Sequence, residues 1–113
     1  MPTDFESRMA RQDDGFTVQW WGDVDLATAP LALATITQLD LGRNVNVRLR
    51  LDTVAFIDST GVRALLQVEQ HVSGTHARLE LVDPSDAVVR VLELTGLGEL
   101  LHLDGQVPPT LAG

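Results

Sequence analysis

Residues 55–62 read AFIDSTGV, with Asp58, Ser59 and Thr60 in a row, an apolar run before them and Gly61 behind. Three chemistries use such residues. An aspartic protease half-site carries an Asp, a Ser or Thr and then a Gly, but here Gly61 stands one residue too far from Asp58. A single-domain version would also have to dimerise so that two carboxylates share a proton. A serine nucleophile at Ser59 would need a base, and only His71, His76 and His102 are on offer. On a helix starting at Ser59, His71 lies about 18 Å along the axis; no G-x-S-x-G elbow is present. The third chemistry is positional: a helix start leaves backbone N–H groups without partners and favours negative charge. Capping by Asp58 or Ser59 is the simplest use of that position, worth about 1 kcal/mol. A cap accounts for one polar residue and not for three.

The elements around this stretch follow from periodicity. Phe16, Val18 and Trp20 alternate with polar neighbours and predict a half-buried strand, with Asp13-Asp14-Gly15 as a turn and residues 5–10 as its hairpin partner. Residues 26–39 read as a helix, with Pro30 in the first turn, Thr28 or Ala29 near the cap, and Leu33, Ile36 and Leu39 at helical spacing. Val45, Val47, Leu49 and Leu51 point one way along a strand over 45–52, while Asn46, Arg48 and Arg50 point the other. Ala77, Leu79 and Leu81 repeat the pattern. Strict alternation gives a sheet with one covered face, so the helices should lie on one side.

Between these two strands, Thr60 to Val72 predicts a helix with Val62, Leu65, Leu66, Glu69 and Val72 on its inner face and Gly74 as its stop. Asp83-Pro84-Ser85 opens a third helix, carrying Val88, Val91 and Leu92 and ending at Gly96. Strand, helix and strand in that order predict a parallel crossover. The class is α/β: a mixed sheet with helices packed on one face, in a single domain. The expected organisation is an N-terminal segment over 1–13 that can supply a hairpin strand, a domain over 14–103 and a loosely ordered tail over 104–113.

Composition narrows the function. The chain has 113 residues and a net charge of −8, and all eight basic residues are scattered arginines. Without a basic stripe, direct nucleic-acid binding is not expected. With no cysteine and no H-E-x-x-H, no metal or other cofactor is expected. No Walker-type phosphate loop occurs, and the chain lacks lysine. No signal-peptide pattern or run of about 20 apolar residues is present, so no membrane insertion and a cytoplasmic location are expected.

The set Asp58-Ser59-Thr60-Gly61 after a strand, followed by an apolar helix, resembles the signature of STAS domains of the anti-sigma factor antagonist family. Gly22-Asp23-Val24-Asp25 is similar to that family's loop after an early strand, and Leu94-Thr95-Gly96-Leu97 to its motif after the last long helix. The similarity runs over roughly residues 14–103. It implies a binding switch and no catalytic residue. Ser59 would be phosphorylated by an anti-sigma factor that is also a serine kinase, with Thr60 as the alternative acceptor. The unphosphorylated form would bind that kinase and release the sigma factor, and a phosphatase would restore it. The resemblance puts Asp25, Asp58, Ser59, Thr60 and Gly61 at the partner surface. Arg63, which follows at once, either steadies a phosphate, meets an acidic partner patch or is a solvated helix residue. The alternative function is a stand-alone STAS subunit of a lipid or anion transport complex.

Overall fold

The computed structural model describes residues 4–98. Its first feature is a hairpin whose turn only glycine can close. Strand β1 (Phe5–Gln12) pairs antiparallel with β2 (Gly15–Val24), and Gly15 has φ +149°; a Cβ there would lie 1.9 Å from the Asn46 carbonyl oxygen. Helix α1 (Ala29–Thr37) follows with Pro30 in its first turn, then β3 (Asn46–Ile57), α2 (Ser59–Gly74), β4 (Arg78–Val82) and α3 (Asp86–Thr95). The sheet order is β1-β2-β3-β4, with β2–β3 and β3–β4 parallel. It is the mixed α/β sheet that the alternation implies.

One face of this sheet makes the core. Phe16, Val18 and Trp20 of β2, Val47, Leu49 and Leu51 of β3, and Leu79 and Leu81 of β4 are buried. Against them pack Ala32 and Ile36 of α1, Val62, Leu65, Val68 and Val72 of α2, and Val88 and Leu92 of α3. Trp20 donates from Nε1 to Thr35 Oγ1 at 2.9 Å, so its one polar atom is satisfied inside the core.

The opposite face is a charged ladder. Arg48 reaches Asp14 at 2.7 Å and Glu80 at 3.7 Å, and Arg50 reaches Asp52 and Asp83. The Arg48 guanidinium and the Asn46 amide donate to the Asp14 carboxylate, lowering its pKa from the ordinary 3.8 to about 2. A depressed carboxylate contributes stability above its unfolded pKa and loses it as pH falls through the folded value. The gap in melting temperature between wild type and Asp14→Asn is therefore expected to be constant near neutrality. It should close as pH falls from about 4 to about 2, which thermal melts across that range would measure.

Four local expectations are corrected. The strand expected over 45–52 starts at Asn46 and runs on to Ile57, where the buried residues are Leu51, Val54 and Ile57. Register shifts against β2 at Gln19/Trp21 and Gly22/Asp23 break the two-residue period there. The inner stripe of α2 passes through Val68, not Glu69, which is half-buried and accepts from Ser73 Oγ at 2.7 Å. Gly74 is the last residue of α2 rather than its stop; the left-handed position is taken by His76, at φ 66°. Leu39 lies past the end of α1 and packs on the core from the loop. The tail over 104–113 and His102 lie outside the described residues.

Candidate functional site

The site forms where β2 and β3 end side by side and α1 and α2 begin. The Val24 carbonyl at the end of β2 accepts from Asp58 N at 3.3 Å, holding the end of β3 to β2. The same carbonyl oxygen would stand 2.2 Å from a Cβ on residue 61, and Ile57 Cγ1 would stand 2.6 Å from it. Gly61 is buried, and the close approach it permits is Val24 of its own chain.

Asp58 and Ser59 divide the polar work. Asp58 is the N-cap of α2: its Oδ1 accepts from Gly61 N at 3.0 Å and its carbonyl from Val62 N at 2.9 Å. Ser59, the first helical residue, is exposed, and its hydroxyl makes no hydrogen bond among the described residues. The backbone amides of Ser59 and Thr60 likewise have no partner among the described residues. Thr60 is half-buried. Arg63 is exposed four residues after Ser59, which places the two on one helix face.

Asp25 is drawn into its own loop. Its Oδ1 accepts from Ala27 N at 3.0 Å and Thr28 N at 3.1 Å, while Thr28 Oγ1 accepts from Asp25 N and donates to the Asp23 carbonyl at 2.7 Å. This closed set of bonds fixes the turn into α1, with Asp25 half-buried at its edge. Gly22 in the same loop has φ +93°, and a Cβ there would lie 1.9 Å from the Asp4 carbonyl. At the other end of the chain, Gly96 is the left-handed cap of α3, with φ 74°.

Sequence reasoning missed the surface beside Ser59. A groove of about 260 Å³ runs between α1 and α2, lined by Leu26, Ala29, Pro30 and Leu33 on one side and Thr60, Arg63 and Gln67 on the other. Leu26 is 76% exposed at its mouth. The apolar letters of residues 26–33 were legible; which of them stay outside depends on how α1 leans on α2. His71 is half-buried on α2 and His76 is exposed beyond its end. Among the described residues no group of three His, Asp or Glu side chains could hold a metal ion.

Comparison with known proteins adds to this geometry. The family description "STAS domain" matches residues 7–111. The anti-sigma-B factor antagonist of Staphylococcus aureus is 26% identical over 93 residues, covering 82% of this chain and 86% of that protein. Among solved structures, an anti-sigma factor antagonist from Mycobacterium paratuberculosis superposes with a TM-score of 0.71 at 21% identity, covering 88% of this chain and 84% of that one. A murine Solute Carrier 26 family anion transporter gives a TM-score of 0.67 at 15% identity, over 85% of this chain but only 19% of the transporter. At these identities the two structures speak to the fold alone.

Proposed function

The chain belongs to the STAS domain family, and from that premise we propose that it is an anti-sigma factor antagonist controlled by phosphorylation of Ser59. It acts by binding, in the cytoplasm, and not by catalysis. The observation that carries the reading is the division at the start of α2: Asp58 caps the helix, which leaves the exposed Ser59 hydroxyl without a structural task. The similarity to the Staphylococcus aureus antagonist supports the partner class, an anti-sigma factor. That partner is a serine kinase using ATP, and a phosphatase reverses its action. Ser59 is preferred to Thr60 as acceptor because Thr60 is half-buried.

The energetics are sufficient. A phosphoryl group brings a charge of about −1.5 to −2. At a helix start the chain itself gains up to ~1–2 kcal/mol from it. In a closed interface the same group is an unmatched dianion, and a hundredfold loss of affinity needs only about 2.7 kcal/mol. The partner surface then comprises Ser59, Thr60 and Arg63 with the α1–α2 groove beside them, and Asp25, Asp58 and Gly61 hold it in shape.

The test is titration calorimetry against the cognate anti-sigma factor, with wild type, Ser59→Ala, Ser59→Asp and the phosphorylated protein. Ser59→Ala is expected to bind like wild type, Ser59→Asp about tenfold more weakly and the phosphorylated form about a hundredfold more weakly. Mass mapping after incubation with kinase and ATP should place the phosphate on Ser59. Equal binding by all four forms sinks the switch. The transport-complex reading has only a shared fold behind it; co-purification with membrane ATPase components in place of a soluble kinase would favour it.

A further inference from the structure

The turns before β3 and β4 enclose a polar cavity of about 390 Å³ at the opposite end of β3 from Ser59. Since β3 runs from Asn46 to Ile57, about 35 Å separates this cavity from the start of α2. Its lining is Arg43, Asn44, Val45, Asn46, His76 and Arg78, of which only Val45 is apolar and none is acidic. Of the chain's eight arginines, Arg48 and Arg50 are ion-paired, and Arg8 and Arg11 lie over aromatic rings. The guanidinium groups of Arg43, Arg63, Arg78 and Arg90 have no ion-pair partner among the described residues, and two of these four line this one cavity. Three carboxylates on neighbouring elements are engaged elsewhere: Asp14 and Glu80 meet Arg48, and Glu69 accepts from Ser73.

The two arginines stand on turns that are bonded together. Val45 N donates to the Gly42 carbonyl at 3.2 Å, closing the turn that carries Arg43 and Asn44. Arg78 N then donates to the Val45 carbonyl at 2.9 Å. Asn44 and His76 both hold left-handed backbone, with φ 69° and 66°. The backbone N–H groups of Arg43 and Asn44, and the Asn44 side-chain amide, have no partner among the described residues. Guanidinium, imidazole and amide groups, all able to donate hydrogen bonds, therefore border one space.

We infer that this cavity binds a small soluble ligand through a phosphate or diphosphate group. Guanidinium forks match phosphate oxygens two at a time, and turn amides add further donors. The net charge of −8 opposes approach to an extended anionic surface such as a bilayer. At physiological salt a small anion feels chiefly the charges within about 8 Å, so local arginines can hold it on an acidic chain.

Amide NMR of the full chain, titrated with inorganic pyrophosphate at fixed ionic strength, tests the assignment. Saturable shifts are expected at residues 43–46 and 76–78, with a dissociation constant below about 1 mM. Arg43→Gln and Arg78→Gln should each weaken binding at least about tenfold. Arg90→Gln removes an equal charge from an exposed residue of α3 and should leave binding within about twofold of wild type. The proposal is overturned by an absence of saturation up to about 10 mM, by shifts confined to the start of α2, or by losses no greater than that of Arg90→Gln. The titration uses unphosphorylated protein and no partner, so the proposed switch at Ser59 stands or falls separately.

Discussion

Gly61→Ala is expected to cost about 3 kcal/mol and to lower the melting temperature by about 10–20 °C. Propensity argues the other way, since alanine is the better helix former by about 1 kcal/mol. What reverses the sign is the backbone: the new methyl would sit 2.2 Å from the Val24 oxygen and 2.6 Å from Ile57 Cγ1. That oxygen also accepts from Asp58 N, so it cannot retreat without loosening the seam between β2 and β3. A methyl on residue 74, in the same helix, would have nothing within 4 Å, and Gly74→Ala should be neutral or stabilising by up to about 1 kcal/mol. Circular dichroism melts of the two variants give the comparison; equal shifts would contradict the packing argument. Because Gly61→Ala displaces the first turn of α2, it should weaken the proposed partner binding even at temperatures where the protein stays folded.

Trp20→Ala should cost more, about 4 kcal/mol, a large part of the roughly 5–15 kcal/mol that holds an ordinary domain together. Trp20 is wholly buried, meets Phe5 edge to face at 5.8 Å and spends its N–H on Thr35. Trp21, its neighbour in sequence, points to the open face with the Arg8 guanidinium 5.8 Å from its ring. Trp21→Ala should therefore change stability by less than about 1 kcal/mol. Urea titrations should show a fall in midpoint for the first and almost none for the second. Similar losses for both would mean that the alternation along β2 does not decide burial.

That alternation was the most legible part of the chain. Phe16, Val18 and Trp20, and Val47, Leu49 and Leu51, declare their faces because a sheet covered on one side enforces a period of two. The second half of β3 does not, since its register shifts replace the period with a spacing of three. Helix α2 misleads for another reason: Leu66 and Glu69 sit where an inner stripe passing through Val62 and Leu65 could run, and only packing on β3 and β4 selects Val68. Its end misleads as well, because glycine is the usual left-handed residue and here a histidine fills that place.

At the site, a cap at the start of α2 was readable, as Asp58 or Ser59, because capping is local. The structure selects Asp58, which needs only the amides of the turn that follows it, and makes Ser59, not Thr60, the first helical residue. The neighbour of Gly61 was not readable, since Val24 comes from a different strand and nothing about a glycine names what leans on it. Leu26, Pro30 and Leu33 read as helix residues, and they border an open groove because α1 meets α2 at its side. The loop motif also carries more than one role. Gly22 admits the β1 backbone, and Asp25 pins the turn that launches α1.

Since Asp58 already holds the Gly61 amide, the helix needs nothing from the serine beside it. Under the proposed control, the two covalent states would share one scaffold, with the phosphorylated one the more stable by up to ~1–2 kcal/mol. The ratio of the two populations would then follow the opposing rates of modification and removal, and the chain would keep no record of its earlier state once a phosphate had gone.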